Sequence, residues 1–390
     1  MIESVSISDP HLTGIIESID RHFEDTRQFT LRDISLALFY HHLSVITGRS
    51  SYRQKQDEVL EGVLQWLEIA DTEAITADKE APFFLNCLAD VVNRIHKGQG
   101  PAGWLYERIE RFNGRLMASG WLTREWASWG YLDGWTGMVS YFLALPGHMT
   151  SRVTFLKAWE ALPEQWIKAR FGQPGAPFGQ KGKIDTGLAL GIAGILTVLE
   201  KLTAITSSQL LAQLLEENVQ QLVRWRQEVD QQSGRSAIFP YLIDNEQREA
   251  HYDNHLWWRN SDPGHAILLY KTGLLLENEH YTRIATFIAL NTLLRREEKD
   301  TGVYNASIMN GAAGVAELYR KLFEMIGNES LLEGYRYWIS ETLRLLDKDL
   351  AEDRFAGKEK EILEGLAGVG LTLAFHTHNK MSSWSPVLLL

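Results

Sequence analysis

The residues best suited to metal or acid–base chemistry are three histidines in the second half of the chain. His251 and His255 lie four residues apart, and His265 follows downstream. On a helix, side chains four apart share a face and can reach one metal ion. No third ligand has a suitable spacing, however, and Pro263-Gly264 indicates a loop nearby. We therefore interpret them as surface or pocket histidines without a metal.

Two further reactive side chains are Cys87 and Asp133. Cys87 is the one cysteine of the chain, so it cannot form an internal disulfide. It lies in an apolar stretch typical of a buried helix, where a free cysteine behaves as a small hydrophobic residue. Asp133 precedes Gly134, which opens another apolar stretch. Two roles stay open for Asp133: a general acid, base or charge partner, or an N-cap of the following helix.

Glycine pairs at i and i+3, each leading into an apolar stretch, recur along the chain. The pairs are Gly134 and Gly137, Gly191 and Gly194, Gly311 and Gly314, and Gly365 and Gly368, with a degenerate copy at Pro263-Gly264-His265-Ala266. Ala37 and Ala89 occupy corresponding positions, so units recur at 37, 89, 137, 194, 264, 314 and 368. A period of about 50 residues indicates a repeated supersecondary unit. Glycine there permits close backbone approach and a positive φ in the preceding turn.

Each repeated unit predicts two helices, one apolar and led by glycine, the other amphipathic. The amphipathic helices are expected at 209–229, 280–295 and 329–349, among other places. A helix that is hydrophobic all round is buried, and one with a polar face lies outside. We therefore predict an all-α fold, an α/α toroid with a double ring of about seven helical hairpins. Strand signals are weak, and residues 237–242 are interpreted as a short strand or a loop.

The domain organisation follows from the continuity of the repeat. We predict a single domain over residues 1–390, with an insertion at 146–185, where prolines and glycines are frequent. The 390-residue chain has a net charge of −11, which disfavours nucleic acids and anionic membranes as partners. It has neither a signal-peptide pattern nor an apolar run of about 20 residues that could span a bilayer. A soluble, cytoplasmic protein is the expectation.

Tryptophans flank two of the glycine turns. Trp129 and Trp135 lie on either side of the first turn, and Trp257 and Trp258 precede Arg259 in a later one. Aromatic side chains at the mouth of a toroid can stack on a peptide or a sugar, or they can pack between helices. Both interpretations stay open.

Several of these turns carry longer motifs in a fixed order. The segments are residues 131–134 (Tyr-Leu-Asp-Gly), 187–194 (Gly-Leu-Ala-Leu-Gly-Ile-Ala-Gly), 258–264 (Trp-Arg-Asn-Ser-Asp-Pro-Gly), 309–314 (Met-Asn-Gly-Ala-Ala-Gly) and 363–370, with Trp384 and the final three leucines. The series resembles the lanthionine synthetase C-like family, the lanthipeptide cyclases. In that family the second to fourth motifs read Gly-Leu-Ala-His-Gly-x-Ala-Gly, Trp-Cys-x-Gly-x-Pro-Gly and Cys-His-Gly-x-x-Gly. The resemblance covers most of the chain and supports the toroid.

The resemblance also implies a chemistry. The family binds one zinc through Cys, Cys and His, and the zinc activates a peptide thiol for addition to a dehydrated Ser or Thr. In this chain those ligand positions are Arg259, Met309 and Asn310. A guanidinium cannot ligate a cation, and a thioether and a neutral amide are poor zinc ligands. We therefore expect no zinc and no other cofactor.

Other family site residues are altered as well. The position of the active-site histidine is Leu190, and the position of the family's arginine is His255. Asp133 remains from the usual polar set. We hypothesise that Arg259 fills the former metal site and pairs with Asp133 or Asp262, because a buried charge is tolerated when it is paired.

Three functions remain open. The first is a metal-free cyclase homologue that binds a precursor peptide or a dehydratase in lanthipeptide maturation. Its substrate-binding residues would be Leu190, Trp258, Arg259, Asp262, Met309 and Asn310. The second is a zinc-free cyclase that forms thioethers by positioning and a base, with Asp133 and His255 as the catalytic candidates. The third is a carbohydrate-active α/α toroid enzyme, whose carboxylate pair would come from Asp133, Asp185, Asp262 and Glu364.

Overall fold

A computed structural model describes residues 9–26, 28–97, 103–172, 182–230, 234–378 and 384–390. In these ranges the chain is mostly helical. The helices are α1 (Asp9–Asp25), α2 (Ile34–Thr47), α3 (Ser50–Ile69), α4 (Thr72–Ala77), α5 (Ala81–Lys97), α6 (Gly103–Ala118), α7 (Trp135–Ala144), α8 (Thr150–Glu160), α9 (Glu164–Phe171), α10 (Ile192–Thr206), α11 (Gln209–Arg224), α12 (Asp262–Leu275), α13 (Glu279–Thr292), α14 (Glu298–Thr301), α15 (Ala312–Ile326), α16 (Glu329–Ala351) and α17 (Leu366–Thr377). None of the helices described has both the length and the apolar character that crossing a bilayer requires.

The described residues divide into two compact units. The first unit contains residues within 1–128, 132–160 and 346–388, and the second contains those within 129–131, 161–345 and 389–390. In the first unit, α2 packs against α3, α5 and α17, and α5 packs against α7. In the second unit, α12 packs against α10, α13 and α15. The prediction of a single domain stays a prediction.

The apolar helices begin where the repeat predicts. Gly137, Gly194, Gly264, Gly314 and Gly368 are each the third residue of their helix, in α7, α10, α12, α15 and α17. The amphipathic helices expected at 209–229, 280–295 and 329–349 are α11, α13 and α16. Ala89 departs from the rule because it lies in the middle of α5, where an alanine fits a helix interior without special backbone demands.

Close backbone approach explains the second glycines of α10 and α15. A Cβ atom on Gly194 would overlap the carbonyl oxygen of Leu188, and one on Gly314 would overlap that of Ile308. The N–H of Gly194 donates to Gly187 O at 3.1 Å, so the preceding loop satisfies the free N–H groups of the helix start. The expected positive φ is wrong for this turn, since the N-cap Gly191 is extended at φ −116°.

A small antiparallel sheet lies in the second unit. Its strands are β1 (Lys183–Asp185), β2 (Leu242–Asp244) and β3 (Glu249–His251), in the order β1-β2-β3. Of the stretch 237–242, only Leu242 joins a strand. The N–H groups of Ile238 and Phe239 donate to the carboxylate of Asp262 at 2.9 and 2.8 Å, which replaces strand pairing.

The stretch expected to be an insertion, 146–185, includes regular secondary structure. It contains α8, α9 and β1, while residues 173–181 lie outside the described residues. Phe155 and Trp159 of α8 are buried in the first unit, and Phe171 of α9 is buried in the second. These helices contribute to the hydrophobic cores, because large apolar side chains are removed from water.

Candidate functional site

Three loops of the second unit meet in front of α10, α12 and α15. The N–H of Ala189 donates to Arg259 O at 3.0 Å, and the N–H of Arg259 donates to Met309 O at 3.3 Å. The backbone of residue 259 therefore lies between the other two loops. This arrangement brings Leu190, Arg259, Met309 and Asn310 together at one place. We call residues 186–190, 257–262 and 307–310 the loop site.

Asp262 holds the loop site together from below. Its carboxylate accepts the two backbone N–H groups of residues 238 and 239 and forms a buried ion pair with the guanidinium of Arg295. Arg295 also donates to Asn254 O at 3.0 Å. The expected pair between Arg259 and Asp262 is wrong, because Arg295 already neutralises Asp262. With its side chain only 2% exposed, Asp262 belongs to the framework and presents no surface to a ligand.

The guanidinium of Arg259 has no ion-pair partner among the described residues of the second unit. Its side chain is half-buried. A half-buried cation without a carboxylate is available to a ligand of opposite charge, because its own charge is uncompensated.

Three polar atoms at the loop site are buried without a hydrogen-bond partner in the described part of the chain. They are Asn260 Oδ1, Ser261 Oγ and Asn310 Oδ1. The Asn260 amide is fixed by bonds from its Nδ2 to Asp185 Oδ1 at 3.0 Å and Tyr241 O at 2.8 Å. Buried polar atoms normally have partners, so these three carry an uncompensated desolvation cost at the loop site. Sequence reasoning missed Asn260 and Ser261, although both lie inside the third motif.

His255 lies beside the loop site in an irregular segment. Its ring stacks on Trp257, with centroids 3.8 Å apart, and its Nε2 lies 3.2 Å from Asp253 Oδ1. Burial lowers the pKa of His255, while the nearby Asp253 carboxylate acts in the opposite direction. An imidazole that stays neutral near pH 7 can accept a proton.

The three histidines do not share a helix face. His251 ends strand β3 and His255 follows in a loop, so the spacing of four has no helical geometry. His265 is buried in α12, with its ring nitrogens 2.9 Å from Ser261 O and 3.0 Å from Thr186 O. Burial lowers its pKa. Across the described ranges, no three His, Cys, Asp or Glu side chains are placed to hold one metal ion.

Asp133 lies in the first unit. Its Oδ1 accepts a hydrogen bond from Ser128 Oγ at 2.6 Å. The N-cap of α7 is Gly134, in an extended conformation, so the interpretation of Asp133 as the N-cap is wrong. Cys87, in the same unit, is fully buried, and burial raises the pKa of its thiol, as expected for a structural cysteine.

Most of the flanking tryptophans pack inside the units. Trp258 is fully buried, and Trp135 is buried with its Nε1 donating to Leu122 O at 3.0 Å. Trp129 lies under the guanidinium of Arg170, 5.6 Å from its ring centroid. Trp257 is half-buried and donates from Nε1 to Gly302 O at 2.7 Å. Trp258 therefore shapes the loop site from inside, and Trp257 offers an accessible ring.

The carboxylates considered for a carbohydrate-active enzyme have structural partners. Asp185 Oδ1 accepts from the N–H of Gly187 at 2.7 Å, and Asp262 pairs with Arg295. Glu364 lies in the first unit and pairs with Lys358 at 2.8 Å. The second unit therefore offers no free pair of these carboxylates across the loop site.

Known proteins resemble the chain in sequence pattern and in fold. The family model of lanthionine synthetase C-like proteins matches residues 34–389. Among solved structures, nisin cyclase has a TM-score of 0.71 at 16% sequence identity, and the match covers 98% of this chain and 97% of that chain. No curated protein matches the sequence. The structural match confirms the predicted fold class, all-α of the α/α toroid type.

Proposed function

The chain belongs to the lanthionine synthetase C-like family, and from that premise we propose that it binds a precursor peptide or a dehydratase in lanthipeptide maturation without using a metal ion. The side chains at the positions of the family's zinc ligands are a guanidinium, a thioether and a neutral amide. This donor set does not fit zinc, which is held in proteins by thiolates, imidazoles and carboxylates. The cytoplasmic location of the protein stays a prediction.

The observation that carries the proposal is the pair of backbone hydrogen bonds that joins Ala189 to Arg259 and Arg259 to Met309. Together with the buried pair of Asp262 and Arg295, these bonds connect the three loops to one another and to the residues behind them. Pre-ordered loops lose little conformational freedom on binding, which favours recognition of a ligand.

The chemistry of the loop site suits a peptide. Asn310 is half-buried beside Met309, and its amide group can donate to or accept from a peptide backbone. The guanidinium of Arg259 can pair with a carboxylate of the ligand. Half-buried Met309 and Leu190 add apolar contact at the same place.

The test uses the full chain, a dehydrated precursor peptide and the dehydratase. We expect binding of the peptide or the dehydratase, and we expect Arg259→Gln to weaken it about tenfold, because a charge-assisted hydrogen bond contributes about 1.5 kcal/mol. The matched control is Arg283→Gln, an arginine of the same unit with a 73% exposed side chain. Binding of neither partner would refute the proposal, as would one tightly bound zinc per chain in elemental analysis.

A zinc-free cyclase is the second candidate, and the geometry of His255 favours it. If Nε2 donates to Asp253, Nδ1 is free to take the proton of a peptide thiol. The thiolate sulfur then bonds to the β-carbon of a dehydroamino acid, and the α-carbon regains the proton from the imidazolium. Incubation with the dehydrated peptide, followed by thiol alkylation and mass measurement, separates the candidates. If the number of free thiols on the peptide stays unchanged, the result supports binding alone. If the wild type consumes thiols and the His255→Gln variant does not, the result supports the cyclase.

A further inference from the structure

Three lysines occupy the same position in three apolar helices of the second unit. Lys201 of α10, Lys271 of α12 and Lys321 of α15 each follow the second glycine of their helix by seven residues. Helix α12 packs against both α10 and α15. Seven residues correspond to about 10 Å along a helix, so the lysines lie roughly two turns below the loop site.

The lysines have few negative partners. Lys271 Nζ donates to Leu389 O at 3.2 Å, and Lys321 Nζ lies 3.9 Å from Glu324 Oε2. Glu324 is shared, because it also pairs with Arg320. Lys201 has no ion pair among the described residues of this unit. All three side chains are only partly accessible to solvent.

The electrostatics of the cluster indicate a deficit of negative charge. Burial lowers the pKa of Lys201 to about 8. Burial and the neighbouring lysines lower the pKa of Lys271 to about 7. The carboxylate of Glu200 interacts electrostatically with Lys201 and Lys271; burial raises its pKa and the two lysines act in the opposite direction. Like charges enclosed by protein are unfavourable unless an ion of opposite charge joins them.

We propose that Lys201, Lys271 and Lys321 form a binding site for a small anion of the phosphate class. A phosphate dianion neutralises two charges at once, and lysine binds phosphate as a point charge with freely oriented donors. The neighbouring Arg320 is paired with Glu317 and Glu324, so it does not offer its planar, bidentate geometry to a carboxylate of a ligand. The site is separate from the loop site and does not depend on the function proposed for it.

The test is calorimetric titration of the full chain with inorganic phosphate, with acetate and sodium chloride of equal ionic strength as comparisons. We expect one phosphate per chain and a loss of affinity of at least about tenfold in Lys201→Gln and in Lys271→Gln. The matched control Lys299→Gln removes a lysine of the same unit with a 76% exposed side chain and should bind as the wild type does.

Two further variants keep the test decisive. Lys201→Arg preserves the charge and should retain binding, whereas a glutamine variant that is folded by circular dichroism should not. No phosphate binding by the wild type would overturn the proposal, and so would equal affinities of wild type and both glutamine variants. Acetate binding as tight as phosphate would overturn the assignment to the phosphate class.

Discussion

At the scale of single residues, the side chains with the greatest structural effect are those whose partners lie far away in the sequence. Asp262 accepts bonds from residues 238 and 239 and pairs with Arg295, 33 positions later. No local sequence pattern predicts a pair between residues 33 positions apart. The sequence analysis therefore suggested Arg259 as a partner of Asp262. The motif did identify Arg259, Met309 and Asn310 as neighbours, because the resemblance carries long-range information that periodicity does not.

The Asp262–Arg295 pair predicts a large loss of stability in Asp262→Asn. The change leaves the buried guanidinium without its counter-charge, which costs about 3 to 5 kcal/mol. Urea unfolding followed by circular dichroism measures the difference.

Glu279→Gln is the control for this change. Glu279 has an 88% exposed side chain and a distant partner in Arg283, so its loss should alter the free energy of unfolding by about 0.5 kcal/mol or less. Equal effects of the two changes would contradict the framework role of Asp262.

At the scale of elements, the helix starts were the most predictable part of the fold. Glycines 137, 194, 264, 314 and 368 each lie at the third helical position, and a Cβ atom on Gly194 or Gly314 would collide with a carbonyl oxygen of the preceding loop. The sheet was missed because its strands have three residues each, too short for a visible alternation. Ala89 was matched to the second glycines by spacing alone, and it lies eight residues after the first residue of α5 and not at the third position.

The tight contact at Gly314 predicts that Gly314→Ala is destabilising. The added methyl group must displace the carbonyl of Ile308, and overpacking of this kind costs about 1 to 3 kcal/mol. Thermal and urea unfolding both measure this.

Gly114→Ala provides a control of opposite sign. Gly114 lies inside α6 with no atom within 4 Å of the added Cβ, so alanine should stabilise the protein by up to about 1 kcal/mol through helix propensity. If Gly314→Ala stabilised the protein as Gly114→Ala does, the loop that contains Ile308 would be able to move aside. That result would contradict the steric explanation for Gly314.

At the scale of the whole molecule, charge is distributed unevenly. The net charge of the chain is −11, yet a cationic cluster is enclosed in the second unit. The sequence gives the net charge but does not predict the cluster. Lys201, Lys271 and Lys321 are far apart in the sequence, and they become neighbours only because α12 packs against α10 and α15.

This cluster predicts that stability rises with pH above neutrality. The folded protein holds the lysine protons more weakly than the unfolded chain, whose lysines titrate near 10.5, so the unfolded state binds more protons between about pH 7 and 10. The groups involved are Lys201, Lys271, Lys321, Glu200, Glu324 and Arg320. From pH 7 to 9, we expect a gain of about 2 to 4 kcal/mol in phosphate-free buffer.

The measurement is the free energy of unfolding by urea at several pH values. Lys271→Gln should flatten the slope, and Lys299→Gln, whose side chain is exposed, should leave it unchanged. Identical slopes in the wild type and Lys271→Gln would contradict the prediction.

At α10 and α15, the hydrogen bonds between the helix start and the preceding loop have a fixed spacing along the chain. Ala312, Ala313 and Gly314 donate their N–H groups to the carbonyls of Asn305, Ala306 and Ser307, and Gly194 donates in the same way to Gly187, always seven positions back. One inserted or deleted residue inside such a segment would shift every donor off its acceptor. Evolutionary variation in length among relatives should therefore avoid these seven-residue steps and accumulate in the connections between helical hairpins.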